Sequence, residues 1–169
     1  MNKIVFLVPL IAGIAFIGCT PELKVDMSKA VVLDTNAPPV NLAEKIQTAK
    51  AENKLLLLEF GSSDACPPCV ALQQRVFSTP EFMAYEQANL VFIRIDFPFK
   101  VTLPPPAHDT NELLEQQFKV FGYPTFIALN QDGKEVWRMP KSPDEGIDLK
   151  IFSPTNFIAM IEGVKKHEK

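Results

Sequence analysis

The sequence predicts an α/β domain: a central mixed sheet of about four to five strands with helices on both faces. Three observations predict it. The apolar run Leu55-Leu56-Leu57-Leu58-Glu59-Phe60 ends at Gly61-Ser62-Ser63-Asp64 and leads straight into Cys66-Pro67-Pro68-Cys69 at a helix start. A second apolar run, Leu90–Phe97, follows the intervening helix. A strand–helix–strand order implies parallel pairing through a right-handed crossover. Last, Gln131-Asp132-Gly133 joins two further strand-like runs as a hairpin, which adds antiparallel strands.

Each element has its own local reason. Residues 20–40 carry Pro21, Pro38 and Pro39 and little helical periodicity, and read as a tether with a short strand at Ala30–Asp34. Asn41 opens a helix, with Glu44 in capping-box spacing and Leu42, Ile46 and Ala49 on one face; it fades near Asn53. Lys54–Phe60 is short and almost wholly apolar, as a central strand is. The next helix starts at Cys66, with Pro67 at a position where a missing N–H costs nothing. Ser78-Thr79-Pro80-Glu81 is a second start signal, so that helix is interrupted and resumes with Phe82 and Tyr85. Leu90–Phe97 alternates around Val91, Ile93 and Ile95. After a proline-rich loop over residues 98–109, read as a solvated connector, Asp109 and Glu112 cap a helix through Phe121. Leu113, Leu114, Phe118 and Phe121 face inward there, and Gly122 ends it. Thr125–Asn130 and Lys134–Met139 are the hairpin strands, with Trp137 in the core. Ser153-Pro154 opens a last helix that buries Phe157, Ile158 and Ile161 and frays at Lys165-Lys166-His167.

The 169 residues suffice for one domain and a tail. A formal net charge of −3 gives no electrostatic case for nucleic acid. The N-terminus reads as a targeting segment. Lys3 precedes an apolar run from Ile4 to Ile17, too short for a good membrane span and suited to a signal-peptide core. Phe16-Ile17-Gly18-Cys19 resembles the bacterial lipobox, with Phe16 departing from the usual Leu. That resemblance implies a signal peptide over 1–18, lipidation of Cys19, a lipid-anchored tether over 19–40 and a domain over 41–169. Thr20 in place of Asp implies sorting to the outer membrane. A plain secretory signal would leave Cys19 incidental. With Cys19 lipidated, the three cysteines resolve into one lipid carrier and one pair.

Cysteines three apart at a helix start share a face, with side-chain origins about 5–6 Å apart. A disulfide closes and opens across that gap with little backbone movement. A strand feeding a CxxC into a helix reads as a redox motif. The same pair would also serve as a structural disulfide or as half of a zinc tetrahedron, although His108 and His167 lack ligand spacing. Val70 after Cys69 argues against haem attachment.

Four features together resemble the thioredoxin-like family: the strand ending Leu58-Glu59-Phe60, the CxxC, Gly122-Tyr123-Pro124-Thr125 before a strand, and the Asp132-Gly133 hairpin. Val76-Phe77-Ser78-Thr79-Pro80-Glu81-Phe82 and Asp96-Phe97-Pro98 narrow the resemblance to a bacterial envelope branch related to thiol:disulfide interchange proteins. Family members commonly carry Trp before the first cysteine, where this chain has Ala65. They also often carry a helix proline that is missing here between Val70 and Phe77.

The resemblance implies a thioredoxin-like fold and dithiol–disulfide exchange in the periplasm, with the Cys66–Cys69 pair as the redox group and no other cofactor. It also implies a monomer acting on protein thiols and disulfides and fed by an upstream electron donor. Cys66 is the expected nucleophile, its thiolate favoured at a helix N-terminus, and Cys69 resolves the mixed disulfide. Pro67 and Pro68 have no N–H, which leaves the Cys69 N–H as the near backbone donor. A thiolate so weakly stabilised points to a reductant or electron relay. Tyr123, Pro124 and Thr125 match the family's cis-proline loop, which binds substrate backbone. Glu59 is the expected proton acceptor for Cys69, unless it points to solvent at the strand end. Asp64 is expected to be an exposed loop residue. The alternative function is a non-catalytic binding protein on the same fold, handling copper or sensing redox state.

Overall fold

The computed structural model describes residues 25–30, 33–34, 38–139 and 149–167. Residues 1–18 and Cys19, with their signal-peptide and lipidation readings, lie outside the described residues. Four strands form one sheet in the order β2-β1-β3-β4. β1 (Leu55–Gly61) runs parallel to β2 (Leu90–Asp96), in register from Leu55↔Leu90 to Gly61↔Asp96. β3 (Thr125–Leu129) is antiparallel to β1, and β4 (Glu135–Arg138) is antiparallel to β3. β1 has neighbours on both sides and layers on both faces, so all seven of its residues are buried. The expected mixed sheet between helices is the observed architecture.

Side-chain alternation along β1 divides the core. Leu55 and Leu57 face one layer, built from α2 (Pro67–Leu72), α3 (Pro80–Asn89) and α5 (Pro154–His167). Phe77 is the hub there, with ring centroids 5.1–6.2 Å from Phe82, Phe92, Phe126 and Phe157. Each buried phenylalanine contributes about 1.5–3 kcal/mol. Leu56, Leu58 and Phe60 face α1 (Leu42–Ala51) and α4 (Pro105–Gln117) on the other side.

The caps follow the sequence. Asn41 Oδ1 accepts from Glu44 N at 3.2 Å, and Asn53 leaves α1 with φ 52°. Thr79 Oγ1 accepts from Phe82 N, with Pro80 opening α3, and Ser153 Oγ accepts from Asn156 N ahead of α5. Between α2 and α3 the chain forms a π turn over Gln73–Phe77, so the expected interruption is a wider turn rather than a gap. In the hairpin, Asn130 Oδ1 accepts from the N–H groups of Asp132 and Lys134, and Gly133 adopts φ 77°.

The expectation for α4 is corrected: the helix starts at Pro105, not Asp109, because Pro105 and Pro106 occupy first-turn positions that need no N–H. It ends at Gln117, and Lys119 turns out with φ 49°, so Gly122 is not its terminator. Leu114 and Phe118 are buried as expected, but Leu113 is 66% exposed and Phe121, beyond the helix, is 96% exposed. Of the expected strand at Ala30–Asp34, the described Ala30, Leu33 and Asp34 carry no strand, and residues 31–32 lie outside the described residues. Within the segment read as a tether, described residues touch the domain. Val25 packs against the α2/α3/α5 core, Gln74 Nε2 donates to Asp26 O at 2.9 Å, and Asp26 caps a 3-10 turn over Met27–Lys29.

Candidate active site

Cys66 is the N-cap of α2 and is half-buried; Cys69, one turn on, is buried. They form a disulfide with Cα atoms 5.2 Å apart. Pro67 and Pro68 occupy the first helical positions. Cys69 N lies 3.3 Å from Cys66 Sγ as a donor, and Val70 N donates to Cys66 O at 3.0 Å. Ala65, before the pair, is exposed.

Glu59 points inward from β1 and is 2% exposed, which removes the strand-end, solvent-facing alternative. Register places it beside Arg94 on β2, whose Nε donates to Glu59 Oε2 at 2.6 Å. Arg94 also donates to the Gln73 side chain and lies over the Phe77 ring, 5.1 Å from its centroid. Burial pushes the Glu59 carboxyl above its ordinary range, and the Arg94 charge only partly offsets this. Glu59 Oε1 is the buried side-chain oxygen that no partner satisfies among the described residues. A side chain starting at Gly61 would meet Cys69 Sγ at 3.3 Å and Glu59 Oε1 at 3.6 Å, so glycine here leaves sulfur and carboxyl facing one gap. The adjoining cavity, of about 10 Å³, is lined by Glu59, Gly61, Cys69, Arg94 and Leu33 among others. That is about the space one water occupies.

The loop between β1 and α2 folds inward, which corrects the expectation for Asp64. Asp64 is 3% exposed and accepts from Phe99 N and Lys100 N, both at 2.8 Å. Burial raises its carboxyl, but those two N–H groups and the Ser62 hydroxyl outweigh that and hold it below the usual range. Ser63 N and Oγ donate to Asp96 at 2.8 and 2.7 Å, and Phe97 N donates to Gly61 O at 2.9 Å.

Thr125 pairs with Phe60, so the loop before β3 meets the end of β1 from which the cysteine loop departs. The Tyr123–Pro124 bond is cis. Thr125 Oγ1 donates to Gly122 O at 2.7 Å, the Tyr123 hydroxyl donates to Glu115 at 2.5 Å, and the Tyr123 ring stacks on Phe97. The fold thus brings Cys66, Cys69 and Glu59 together and sets Tyr123–Thr125 at the same sheet end. Sequence reading missed Arg94, Asp96 and the burial of Asp64. For Arg94 the signal was available: starting the parallel strands level at Leu55 and Leu90 puts residue 94 opposite residue 59.

Fold and site define a CxxC dithiol–disulfide domain. A family model described as thioredoxin-like domain matches residues 42–141, and the chain belongs to that family. Among curated proteins it is 31% identical over 104 residues to the disulfide bond reductase DsbH of Chlamydia pneumoniae. That alignment covers 62% of this chain and 63% of the relative. It is also 26% identical over 96 residues to the thioredoxin-related protein DsbJ of the same organism, covering 57% of this chain and 28% of that protein. The chain therefore spans less than two thirds of either relative's length. Among solved structures it is similar to a DsbH oxidoreductase, with TM-score 0.61 and 24% identity over 87% of this chain and 94% of that one. It is also similar to a thioredoxin from Thermus thermophilus, with TM-score 0.50 and 21% identity over 75% and 84%. At these identities the solved structures bear on the fold alone.

Proposed function

We propose that this protein is a thiol–disulfide oxidoreductase of the bacterial cell envelope, acting as a reductant or electron relay. The observation that carries this reading is the half-buried Cys66 bonded to buried Cys69, with an unpartnered carboxyl oxygen of Glu59 across Gly61 from the Cys69 sulfur. In the reduced protein the Cys66 thiolate attacks a partner disulfide. One partner sulfur leaves as a thiolate and takes up a proton, and a mixed disulfide remains. Glu59 accepts the Cys69 proton through Oε1, directly or across one water. Cys69 then attacks Cys66 Sγ, which releases the second partner thiolate and closes the Cys66–Cys69 disulfide. Two electrons have passed to the partner, and an upstream dithiol must return two electrons and two protons. The cysteine pair is itself the redox group. The backbone at Tyr123–Pro124–Thr125 pairs with the partner segment.

The direction rests on Pro67 and Pro68. Each removes an N–H that would otherwise solvate the Cys66 thiolate, so the Cys69 N–H serves alone in the motif. A less stabilised reduced form is the more reducing couple. The name of the similar Chlamydia reductase supports the same direction. The envelope location rests on residues 1–19, read as a lipoprotein signal with Cys19 lipidated and sorted to the outer membrane. The partners are protein thiols and disulfides there, met by a monomer.

Trapping with Cys69→Ser tests the reading, because that variant arrests the mixed disulfide between Cys66 and its partner. Recovery of no mixed disulfide, together with no dithiol cycling by the native pair on a model disulfide, would favour a binding protein. Alkylation rate against pH tests the direction: Cys66 is expected to titrate near the ordinary thiol range, and a strongly acidic thiol would remove the reductant assignment.

A further inference from the structure

We propose that Gln73 is a positioning residue for the proton transfer from Cys69 to Glu59, holding Arg94 so that Arg94 in turn holds the carboxyl with Oε1 toward the sulfur. The proposal rests on the oxidoreductase reading and adds to that site a residue outside the CxxC and cis-proline motifs.

Gln73 and Cys69 lie four apart, one turn along the same helix face. The Gln73 N–H donates to Cys69 O, so this residue closes the turn that carries the resolving cysteine. Its side chain reaches across to the sheet. Oε1 accepts from Arg94 Nη1, while Nε2 donates to Ser78 Oγ at 2.7 Å. That second bond agrees with the way the amide must point, because a guanidinium only donates and needs the oxygen. Arg94 is held on three sides: by Gln73, by Glu59 Oε2 at 2.6 Å and by the Phe77 ring, 5.1 Å from its centroid. Two of those partners, Gln73 and Phe77, are the first and last residues of the π turn. The widened turn makes this arrangement possible. In an α-helix, residues five apart lie about 140° around the axis from each other. Here Ser78 N donates to Gln73 O at 3.0 Å, and the Ser78 hydroxyl comes back beside the Gln73 amide. Wider turns of this kind recur at functional sites.

Fixing Arg94 matters because, among the described residues, it is the cation that acts on Glu59. β2 presents Arg94 and Asp96 to the carboxyl, α2 presents the cysteines, and the β3 residue opposite is Phe126, which does not titrate. Glu86 of α3 is half-buried and also feels the Arg94 charge. A guanidinium free to swing toward Glu86 would release Oε2 and let the carboxyl rotate away from Cys69. A neutral amide prevents that without competing for the charge. A carboxylate at position 73 would hold the guanidinium as well, but would draw its charge from Glu59.

The test is a single-turnover reaction of the pre-reduced protein with an aryl disulfide whose thiolate is coloured. Cys66 releases the first aryl thiolate and Cys69 the second, so stopped-flow absorbance separates attack from resolution. Glu59 is titrated in the oxidised protein by the infrared stretch of its protonated carboxyl, assigned by its loss in Glu59→Gln. Gln73→Met removes both side-chain hydrogen bonds at similar length. It is expected to slow the second phase by roughly tenfold, toward the lower end of what misplacing a reacting group costs. Gln73→Glu keeps the acceptor, and should raise the Glu59 midpoint by about one pH unit and restore most of the second-phase rate above that midpoint. In a Glu59→Gln background, Gln73→Met should slow nothing further. A wild-type second phase in Gln73→Met, an unshifted midpoint in Gln73→Glu, or equal slowing with and without Glu59 overturns the positioning role while leaving the oxidoreductase reading standing. If Gln73→Met does not fold, the Gln73→Glu midpoint decides alone. Wild type that releases no aryl thiolate overturns that reading and the positioning role with it.

Discussion

Arg94 holds one oxygen of Glu59 while the other faces the Cys69 side: Nε donates to Oε2 at 2.6 Å, while Oε1 has no hydrogen-bond partner among the described residues and faces the gap at Gly61. The carboxyl is thereby oriented from behind, on the strand next to its own. That second oxygen borders a small cavity of about 10 Å³, near the least space that holds one water.

This orientation predicts a split between the two chemical steps. Glu59→Gln should leave the attack of Cys66 on a partner disulfide unchanged. Resolution by Cys69 should slow by roughly tenfold to hundredfold, toward the lower end of what a positioned base supplies. Rapid-quench measurement of mixed-disulfide formation and decay separates the two, and an unchanged decay rate would remove Glu59 from the mechanism.

The raised Glu59 carboxyl also predicts a pH dependence of stability. The native state binds this proton more tightly than the unfolded chain, in which the group titrates near 4.5. The stability it contributes is therefore fully present below that pH and is lost as pH rises through the higher native value. Urea unfolding of the oxidised proteins should show Glu59→Gln gaining on wild type as pH rises above about 4.5, by at most about 1.4 kcal/mol per pH unit. A difference that is flat with pH would show that the native carboxyl titrates normally.

Removing Arg94 should be costly only while Glu59 is charged. Arg94→Ala strips the ion pair from a buried carboxylate and is expected to cost about 3 kcal/mol near neutral pH. In a Glu59→Gln background the same change should cost less, because what remains is the contact with Gln73 and with the Phe77 ring. A double-mutant cycle by chemical denaturation reads the coupling, and strictly additive effects would mean the pair contributes nothing as a pair.

Asp64 carries the opposite sign. Its carboxyl lies below its ordinary value of 3.8 because backbone N–H groups outweigh the effect of burial. Its contribution is present above that pH and lost as pH falls through the lower native value. Asp64→Ala should destabilise by about 2 kcal/mol at neutral pH and by less in acid. It should also speed amide exchange at Phe99 and Lys100 relative to β1. Unchanged protection at those two amides would show that the loop is held by other bonds.

Much of this was legible in the chain. The apolar run at Leu55–Phe60, the caps at Asn41, Thr79 and Ser153, and the Asp132-Gly133 turn are local signals, and each predicted its element. The cysteine pair was equally plain, because i,i+3 spacing at a helix start is a statement about neighbours in sequence. Misreadings fell where two local signals competed. Pro104-Pro105-Pro106 was read as loop although proline suits a first helical turn, and that shifted α4 and turned Leu113 and Phe121 the wrong way. Asp64 was read as exposed because charge near glycine and serine usually is. Its burial depends on the N–H groups of Phe99 and Lys100, more than thirty residues on.

The sequence by itself determined the four sheet strands, the starts of α1, α2, α3 and α5, the hairpin and the presence of a redox-type cysteine pair, since these follow from backbone preferences and apolar periodicity over a few residues. Only the tertiary structure decided what surrounds that pair: Arg94 behind Glu59, glycine between carboxyl and sulfur, and a loop bridging Asp64 to Tyr123. Those relationships come from strand register and from the desolvation of charged groups. Both are set by how distant segments meet, and no local window of the chain records them.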